Sequence, residues 1–148
     1  MTYWITPYLD IKNQLITDLE ALTDEYDDLV FDHVYFGRKA SPEQFPCAII
    51  WPMTLRTDPT TLRTSYYPMP FRIIVVSQEE AHIEEGFDDV IGRLGLVEKM
   101  LVDDRQFHGL TDNLEVDVVE PDVYRPRVRT RHEAALTVRF IRFYLPTC

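Results

Sequence analysis

The chain has 148 residues, of which 45% are hydrophobic, and its formal net charge is -10 at pH 7. These values predict a single domain, 1–148, with a hydrophobic core that needs no disulfide or metal to stabilise it. The negative charge excludes a protein whose whole surface binds nucleic acid or anionic lipid, because those partners require a positive surface. The sequence has neither a membrane-length apolar run nor a signal peptide, so we expect an intracellular protein that binds no membrane.

The first third of the chain predicts one helix and two strands. Thr6-Pro7 is a favourable helix start, with a capping hydroxyl before a proline, and apolar residues recur at helical spacing to about residue 22 or 26. Residues 29–36 and 46–53 are rich in β-branched and aromatic residues and predict strands. Pro52 cannot donate a ladder hydrogen bond, so the end of the second strand should lie at a sheet edge or a bulge.

Residues 54–70, which we call the arm segment, contain three prolines, five threonines and the pair Tyr66-Tyr67. Compact domains seldom keep a polar connection of this length without a use for it, so the segment predicts an extended hairpin tip or an arm. The alternative is a disordered insertion. Arg63, Tyr66 and Tyr67 are its candidate contact residues.

An apolar run, Phe71 to Val76, predicts a central strand with a neighbour on each side. Ser77 is the predicted cap of the helix that follows, and Gly92 and Gly95 lie inside that helix. Either close packing against another backbone or a bend would explain the two glycines. The predicted core face of the helix comprises Phe87, Val90, Ile91, Leu94, Val97 and Leu101.

The last third predicts two more strands. Residues 114–118 alternate between apolar and acidic, residues 120–122 predict a turn, and residues 132–145 alternate again. The complete order predicts an α+β domain with a mostly antiparallel sheet of about five strands covered by two helices.

No residue pattern predicts catalysis, so we expect neither an enzyme nor a cofactor. The four histidines, at 33, 82, 108 and 132, are widely spaced and are predicted to lie on the surface or in turns. Cys47 predicts a buried thiol and Cys148 a free one, and neither belongs to a metal-binding spacing. No glycine-rich phosphate loop or nucleophile elbow is present.

Glu115 and Asp117 share one face of a predicted strand, and Glu120 and Asp122 follow them. Such a cluster can hold magnesium for phosphodiester cleavage. The alternative is a solvated strand face, or one paired with nearby arginines. Because metal nucleases generally also need a lysine or histidine to orient water, we favour the alternative.

Arginines alternate over residues 125–131, and Arg125, Arg127, Arg129 and Arg131 point the same way if this segment is extended. Residues 79–122 hold fourteen carboxylates against three basic residues, whereas residues 123–148 hold six arginines against Glu133. Because like charges on one side repel one another, we expect these arginines to lie against an acidic partner. Three partners fit: the Glu115/Asp117 face of the same chain, an acidic helix of another subunit, or phosphates.

The order of elements resembles the tail terminator, or tail completion, proteins of long-tailed viruses. The residues that carry the resemblance are the N-terminal helix, Gly37, the strand Phe45-Pro46-Cys47-Ala48-Ile49-Ile50, the arm segment, the strand and helix at 71–101, and the closing strand 136–143. The resemblance implies a structural virion protein without catalytic residues. It implies a ring, commonly a hexamer, that caps the tail tube and joins it to the neck.

The partners that the resemblance implies are further copies of the chain, the tail tube protein, the neck or connector proteins, and DNA passing through the lumen. Localisation is then the virion, after assembly in the host cytoplasm. Lysine is scarce and aspartate abundant, which is typical of proteins adapted to high salt and suggests a halophilic virus. The alternatives are a head-closure or neck protein, or a small-molecule-binding regulatory module whose Arg125 to Arg131 receive an anionic ligand.

Overall fold

A computed structural model describes residues 5–37, 44–53, 58–59, 65–78, 83–124 and 131–144. Helix α1 spans Ile5–Ala21 and helix α2 spans Ile83–Asp103. The strands are β1 (His33–Phe36), β2 (Cys47–Pro52), β3 (Asp58–Pro59), β4 (Ser65–Gln78), β5 (Asn113–Tyr124) and β6 (Arg131–Tyr144). Their order is β1-β2-β4-β6-β5, with β3 paired to the start of β4. Only β1 and β2 run parallel, so the predicted α+β fold with a mostly antiparallel sheet is confirmed.

Strand β4 is the centre of the sheet, as the apolar run at 71–76 predicts. It pairs with β2 on one side and with β6 on the other. It is longer than predicted, because residues 65–70 of the arm segment pair with residues 139–144 of β6. Asp58 and Pro59 pair with Tyr66 and Ser65, which gives this part of the arm segment a hairpin character. Residues 54–57 and 60–64 lie outside the described residues.

The prolines of β4 occupy positions where the sheet needs no donor. Strand β2 pairs only with residues 71–76, so it does not extend alongside Pro68 and Pro70. The Met53 amide donates to the Pro70 carbonyl at 3.1 Å, so the Pro70 backbone polar groups face away from β6. The ladder with β6 therefore continues past both prolines. Pro52 likewise lies beyond β1, which ends opposite Ile50, so the predicted edge position is confirmed within the described strands.

Helix α1 packs a narrow apolar stripe on the sheet. Ile11, Leu15 and Leu19 are fully buried. The helix begins at Ile5, so Thr6 is not its cap, and Pro7 lies in the first turn, where amides have no intrahelical acceptor. It ends at Ala21, and Tyr26, which the longer prediction included, is 76% exposed.

Strand β1 starts four residues later than predicted because a turn intervenes. The Asp24 carboxylate accepts hydrogen bonds from the amides of Tyr26 (2.8 Å) and Asp28 (3.1 Å). Asp27 has a φ of 59°, in the left-handed region that aspartate tolerates. The chain then turns back, and the Val30 amide donates to the Leu22 carbonyl at 2.9 Å.

Helix α2 covers the sheet with a narrower face than predicted. Val90, Leu94, Val97 and Leu101 are buried, whereas Phe87 and Ile91 are 39% and 38% exposed, so the prediction is wrong for these two. Ser77 is also not its cap, because it is a buried residue of β4.

The described part of the chain does not supply the close packing predicted for the two helix glycines. A Cβ added to Gly92 or Gly95 would meet nothing within 4 Å, and both glycines are exposed. Neither glycine is therefore required by contacts within the chain. Neither described helix is long and apolar enough to cross a membrane.

Strands β5 and β6 form the other half of the sheet. The predicted turn at 120–122 is wrong: β5 continues to Tyr124, with a register shift between Val119 and Asp122. Tyr124 pairs with Arg131 in the antiparallel ladder of β5 and β6, and residues 125–130 lie outside the described residues. Strand β6 confirms the predicted alternation, with one face buried in the core: Ala134, Leu136, Val138 and Phe140.

Both helices lie on one face of the sheet, which we call the covered face, and the main core lies between them. Phe71 is central to it, stacked on Tyr8 (5.2 Å between ring centroids) and edge-on to Phe140 (5.9 Å). The opposite face, which we call the open face, carries a second small cluster: Cys47, Ile49 and Val76, with Tyr35, Phe45 and Ile74 packed around them. Cys47 is buried, as predicted, and Cys148 lies outside the described residues.

Candidate interaction surfaces

The structure separates the predicted contact residues. Arg63, Arg125, Arg127 and Arg129 lie outside the described residues, as does His82. The backbones of Tyr66 and Tyr67 lie near the start of β4, opposite Phe143 and Arg142. Arg131 begins β6, opposite Gln78, at the other end of the same ladder. The two ends are about 40 Å apart at roughly 3.3 Å per residue, so Tyr66 and Tyr67 do not form one contact site with Arg131.

Two carboxylates of β5, those of Glu115 and Asp117, form ion pairs with Arg139 on the neighbouring strand β6. Arg139 Nη1 lies 2.5 Å from Asp117 Oδ2 and 3.9 Å from Glu115 Oε2 on the open face. Arg139 lies directly opposite Glu115, so the cation that the described residues provide for these carboxylates belongs to β6. Among the side chains that the structure describes, no group of three or more could hold a metal ion, so the magnesium hypothesis gains no support there.

Two open concavities lie between the end of α1 and the side of α2. The first has a volume of about 370 Å³ and the second about 430 Å³. Leu96 and Met100, one turn apart on α2, connect them. We call this surface the acidic groove because both concavities have carboxylates at their rims: Asp18 and Asp104 in the first, and Asp24, Glu25, Asp88 and Asp89 in the second.

The basic side chains described at the acidic groove already have partners. Arg93 Nε lies 3.0 Å from Asp89 Oδ2, and its Nη1 donates to the Val30 carbonyl. His108 Nε2 lies 2.8 Å from Asp18 Oδ2. With apolar side chains such as Leu22 and Met100 between the carboxylates, the groove suits a cationic group on an apolar stem, such as an arginine side chain.

A left-handed turn positions His108 at this rim. Phe107, His108 and Gly109 have φ values of 44°, 57° and 78°. The Asp104 carboxylate accepts the His108 amide at 2.8 Å, which stabilises the turn after α2. Phe107 is thereby directed into the core, 4.7 Å from the Phe140 ring, while His108 is exposed, as predicted.

His132 is a polar residue of β6 that lies in the protein interior. It is 1% exposed, so its predicted surface position is wrong. It lies opposite Ser77, and within the described structure neither ring nitrogen nor the Ser77 hydroxyl has a hydrogen-bond partner. A Cβ on Gly86 of α2 would lie 2.4 Å from the His132 ring. The β6 alternation could have revealed this burial, since residue 132 is in phase with Ala134 and Leu136.

No protein-family model matches this chain, and no curated protein matches it in a sequence search. The description of the chain therefore depends on its own geometry. That geometry is an open mixed sheet with one helix-covered face, an acidic groove between the helices, and no described metal-binding group.

Proposed function

We propose that this chain is a ring-forming structural subunit of a head-tailed virus, the tail terminator that caps the tail tube and joins it to the neck. The order of the described elements supports the proposal: helix, strands, hairpin, central strand, helix and two closing strands. This is the order on which the resemblance to that family depends.

The observation that carries the proposal is the separation of charge. The acidic groove gathers six carboxylates on one surface, and the sequence places four arginines within 125–131. Glu115 and Asp117 already have Arg139 as their cation, so they are not the obvious partners of those arginines. An acidic surface and a run of arginines on one chain favour head-to-tail association, which closes into a ring when the rotation between subunits allows it.

The partners follow from that role. They are further copies of the chain, most simply six, together with the tail tube protein, the neck proteins and the DNA that passes through the lumen. The acid-rich and lysine-poor composition, which is typical of proteins adapted to high salt, fits a virion assembled in the cytoplasm of a salt-loving host.

Light scattering of the purified protein at high concentration, in low and in molar salt, tests the ring. We expect a closed oligomer of defined mass in at least one condition. A protein that stays strictly monomeric in both would overturn the proposal.

Replacing Arg127 and Arg129 with glutamate tests the charge argument. If they bridge subunits, the like charges weaken association by several kcal/mol while the melting temperature of the subunit stays the same. The control, Lys99→Glu, reverses the charge of an exposed residue outside the 125–131 segment and should leave association intact. A lower melting temperature with unchanged association would instead assign these arginines to contacts within the chain.

The second candidate is a small-molecule-binding module, and the concavity beside the Asp18–His108 pair favours it. Its volume of about 370 Å³ lies within the range of small-ligand sites. A thermal-shift screen with metabolites distinguishes the two: a sensor shows a ligand-dependent shift as a monomer, whereas a terminator or a neck protein assembles without one. Binding to tail tubes then separates the terminator from a neck or head-closure protein.

A further inference from the structure

Exposed apolar side chains occur at both ends of the helix layer. On α2 they are Phe87, Ile91 and Val102, which we call the α2 patch. At the other end they are Leu9 of α1 (45% exposed) and Phe36 of β1 (42% exposed), which we call the β1-edge patch. Apolar groups of this size bury favourably when another surface covers them.

The α2 patch points away from α1. Arg93 donates to the Val30 carbonyl in the segment that joins α1 to β1, so this side of α2 faces the first helix. Residues advance by 100° round a helix, which places Ile91 200° from Arg93 and therefore on the opposite side. Phe87 lies one turn before Ile91. The patch thus lies toward β5, which is one edge of the sheet.

The β1-edge patch belongs to the other edge. Lys12 Nζ lies 5.0 Å from the centroid of the Phe36 ring, which connects α1 to the last residue of β1. Leu9 is three residues before Lys12 and so shares its side of the helix. Strand β1 ends the strand order opposite to β5. The two patches are therefore different surfaces at opposite ends of the molecule.

Charge makes the two patches complementary. Glu98 lies two turns after Ile91, on the same side of α2, and forms no ion pair with a described residue. Lys12, in the β1-edge patch, has no carboxylate partner within the described part of the chain. Gly95 is exposed beside the α2 patch with nothing within 4 Å of a Cβ position, so another copy could approach the helix closely there.

We infer that the α2 patch of one copy packs against the β1-edge patch of the next copy. Each copy then presents one patch to each neighbour, which is the head-to-tail arrangement that a ring requires. The inference rests on the proposed ring and names the apolar contact within it.

Two single variants test the contact by analytical ultracentrifugation. Ile91→Asp in the α2 patch and Leu9→Asp in the β1-edge patch should each raise the dissociation constant by about 30-fold or more, the effect of losing an interface hot spot. Ile91 and Leu9 are 38% and 45% exposed, so we expect the melting temperature to fall only slightly while the dissociation constant rises strongly. The control is Tyr26→Asp, which alters an exposed aromatic residue outside both patches and should leave assembly unchanged.

Mixing the two variants gives the sharper result. Each retains one intact patch, so an equimolar mixture should form a 1:1 dimer and nothing larger. Variants that assemble like the unaltered protein, or a mixture that forms no dimer, would overturn this contact and leave the ring proposal standing. An unaltered protein that stays monomeric overturns both. If circular dichroism shows either aspartate variant unfolded, Phe87→Ser and Phe36→Ser repeat the test.

Discussion

The two faces of the central strand differ although their residues alternate along one apolar run. Ile73 faces the covered side, where both helices pack and it is fully buried; Ile74 faces the open side and is half-buried. Both positions carry the same residue type, isoleucine. The difference arises because residues far away in the chain, on α1 and α2, lie over only one of the faces.

The contacts on the open face are fewer and weaker than those on the covered face. It has a minor apolar cluster around Cys47 and an exposed ion pair between Asp117 and Arg139. Exposed ion pairs contribute about 0–1 kcal/mol, whereas each large buried side chain contributes about 2–5 kcal/mol on truncation. We therefore expect the covered face to determine stability, leaving the open face more tolerant of change.

The largest expected effect comes from truncating the two neighbouring isoleucines. Ile73→Ala should lower the free energy of unfolding by about 2–5 kcal/mol, because it leaves a cavity under the helices. Ile74→Ala should lower it by less, about 1–2 kcal/mol, since that side chain is only partly buried against a small cluster. Urea denaturation measures both. Equal losses would mean that the two faces are equally buried.

Gly86→Ala tests the contact between α2 and the sheet. The added methyl group would meet the buried His132 ring, so we expect a loss of about 1–3 kcal/mol from overpacking. Combining it with His132→Ala removes the clash, and a double-mutant cycle should then show a favourable coupling between the two changes. Strict additivity would show that the ring moves aside.

Gly92→Ala makes the same substitution as Gly86→Ala, but on the solvent-exposed side of α2. Nothing lies within 4 Å of its Cβ position, and alanine favours helix by about 1 kcal/mol. The melting temperature should therefore rise. A fall would show that this surface is more crowded than the described contacts indicate.

On the open face, Asp117→Asn should change the free energy of unfolding by at most about 1 kcal/mol, because both partners of the Arg139 pair are well exposed. Salt screens such pairs, so the difference should vanish in molar salt. A loss of several kcal/mol that persists in salt would place this pair among the main stabilising contacts.

The smallest effect concerns Tyr8, whose pKa is raised above its usual value of 10.0 because the phenol is partly buried against the core. The folded protein then keeps this proton to a higher pH than the unfolded chain. Its contribution to stability is full below pH 10 and is lost as pH rises through the folded pKa. Tyr8→Phe should therefore flatten the fall in stability between pH 9 and pH 11, measured by urea denaturation.

The sequence predicted the elements well because periodicity is a local property. It identified β4, β6 and the buried stripe of α1, and it assigned the fold class. It failed where a distant partner decides: residues 65–70 are strand because β6 pairs with them, and Phe87 is exposed because α2 presents a narrow face. The acidic groove could not be predicted either, since it joins residues 18–25 to residues 88–108.

The prediction that His132 lies on the surface failed for a different reason. The alternation of β6 contained the information that it is buried, but the polar residue type outweighed the pattern. Neither ring nitrogen has a described hydrogen-bond partner, which is unusual for a buried histidine. A polar residue in phase with an apolar stripe is therefore better assigned by its position than by its chemistry.

The prolines of β4 have a consequence for how the chain avoids unwanted association. Between the residues paired with β3 and those paired with β2, the outer side of β4 carries Pro68 and Pro70, which offer no amide to an incoming strand. A strand from another chain would therefore find no amide donor on β4 at these two positions, which disfavours extension of the sheet there. Such protection against aggregation matters most for a subunit that accumulates to high concentration before it assembles.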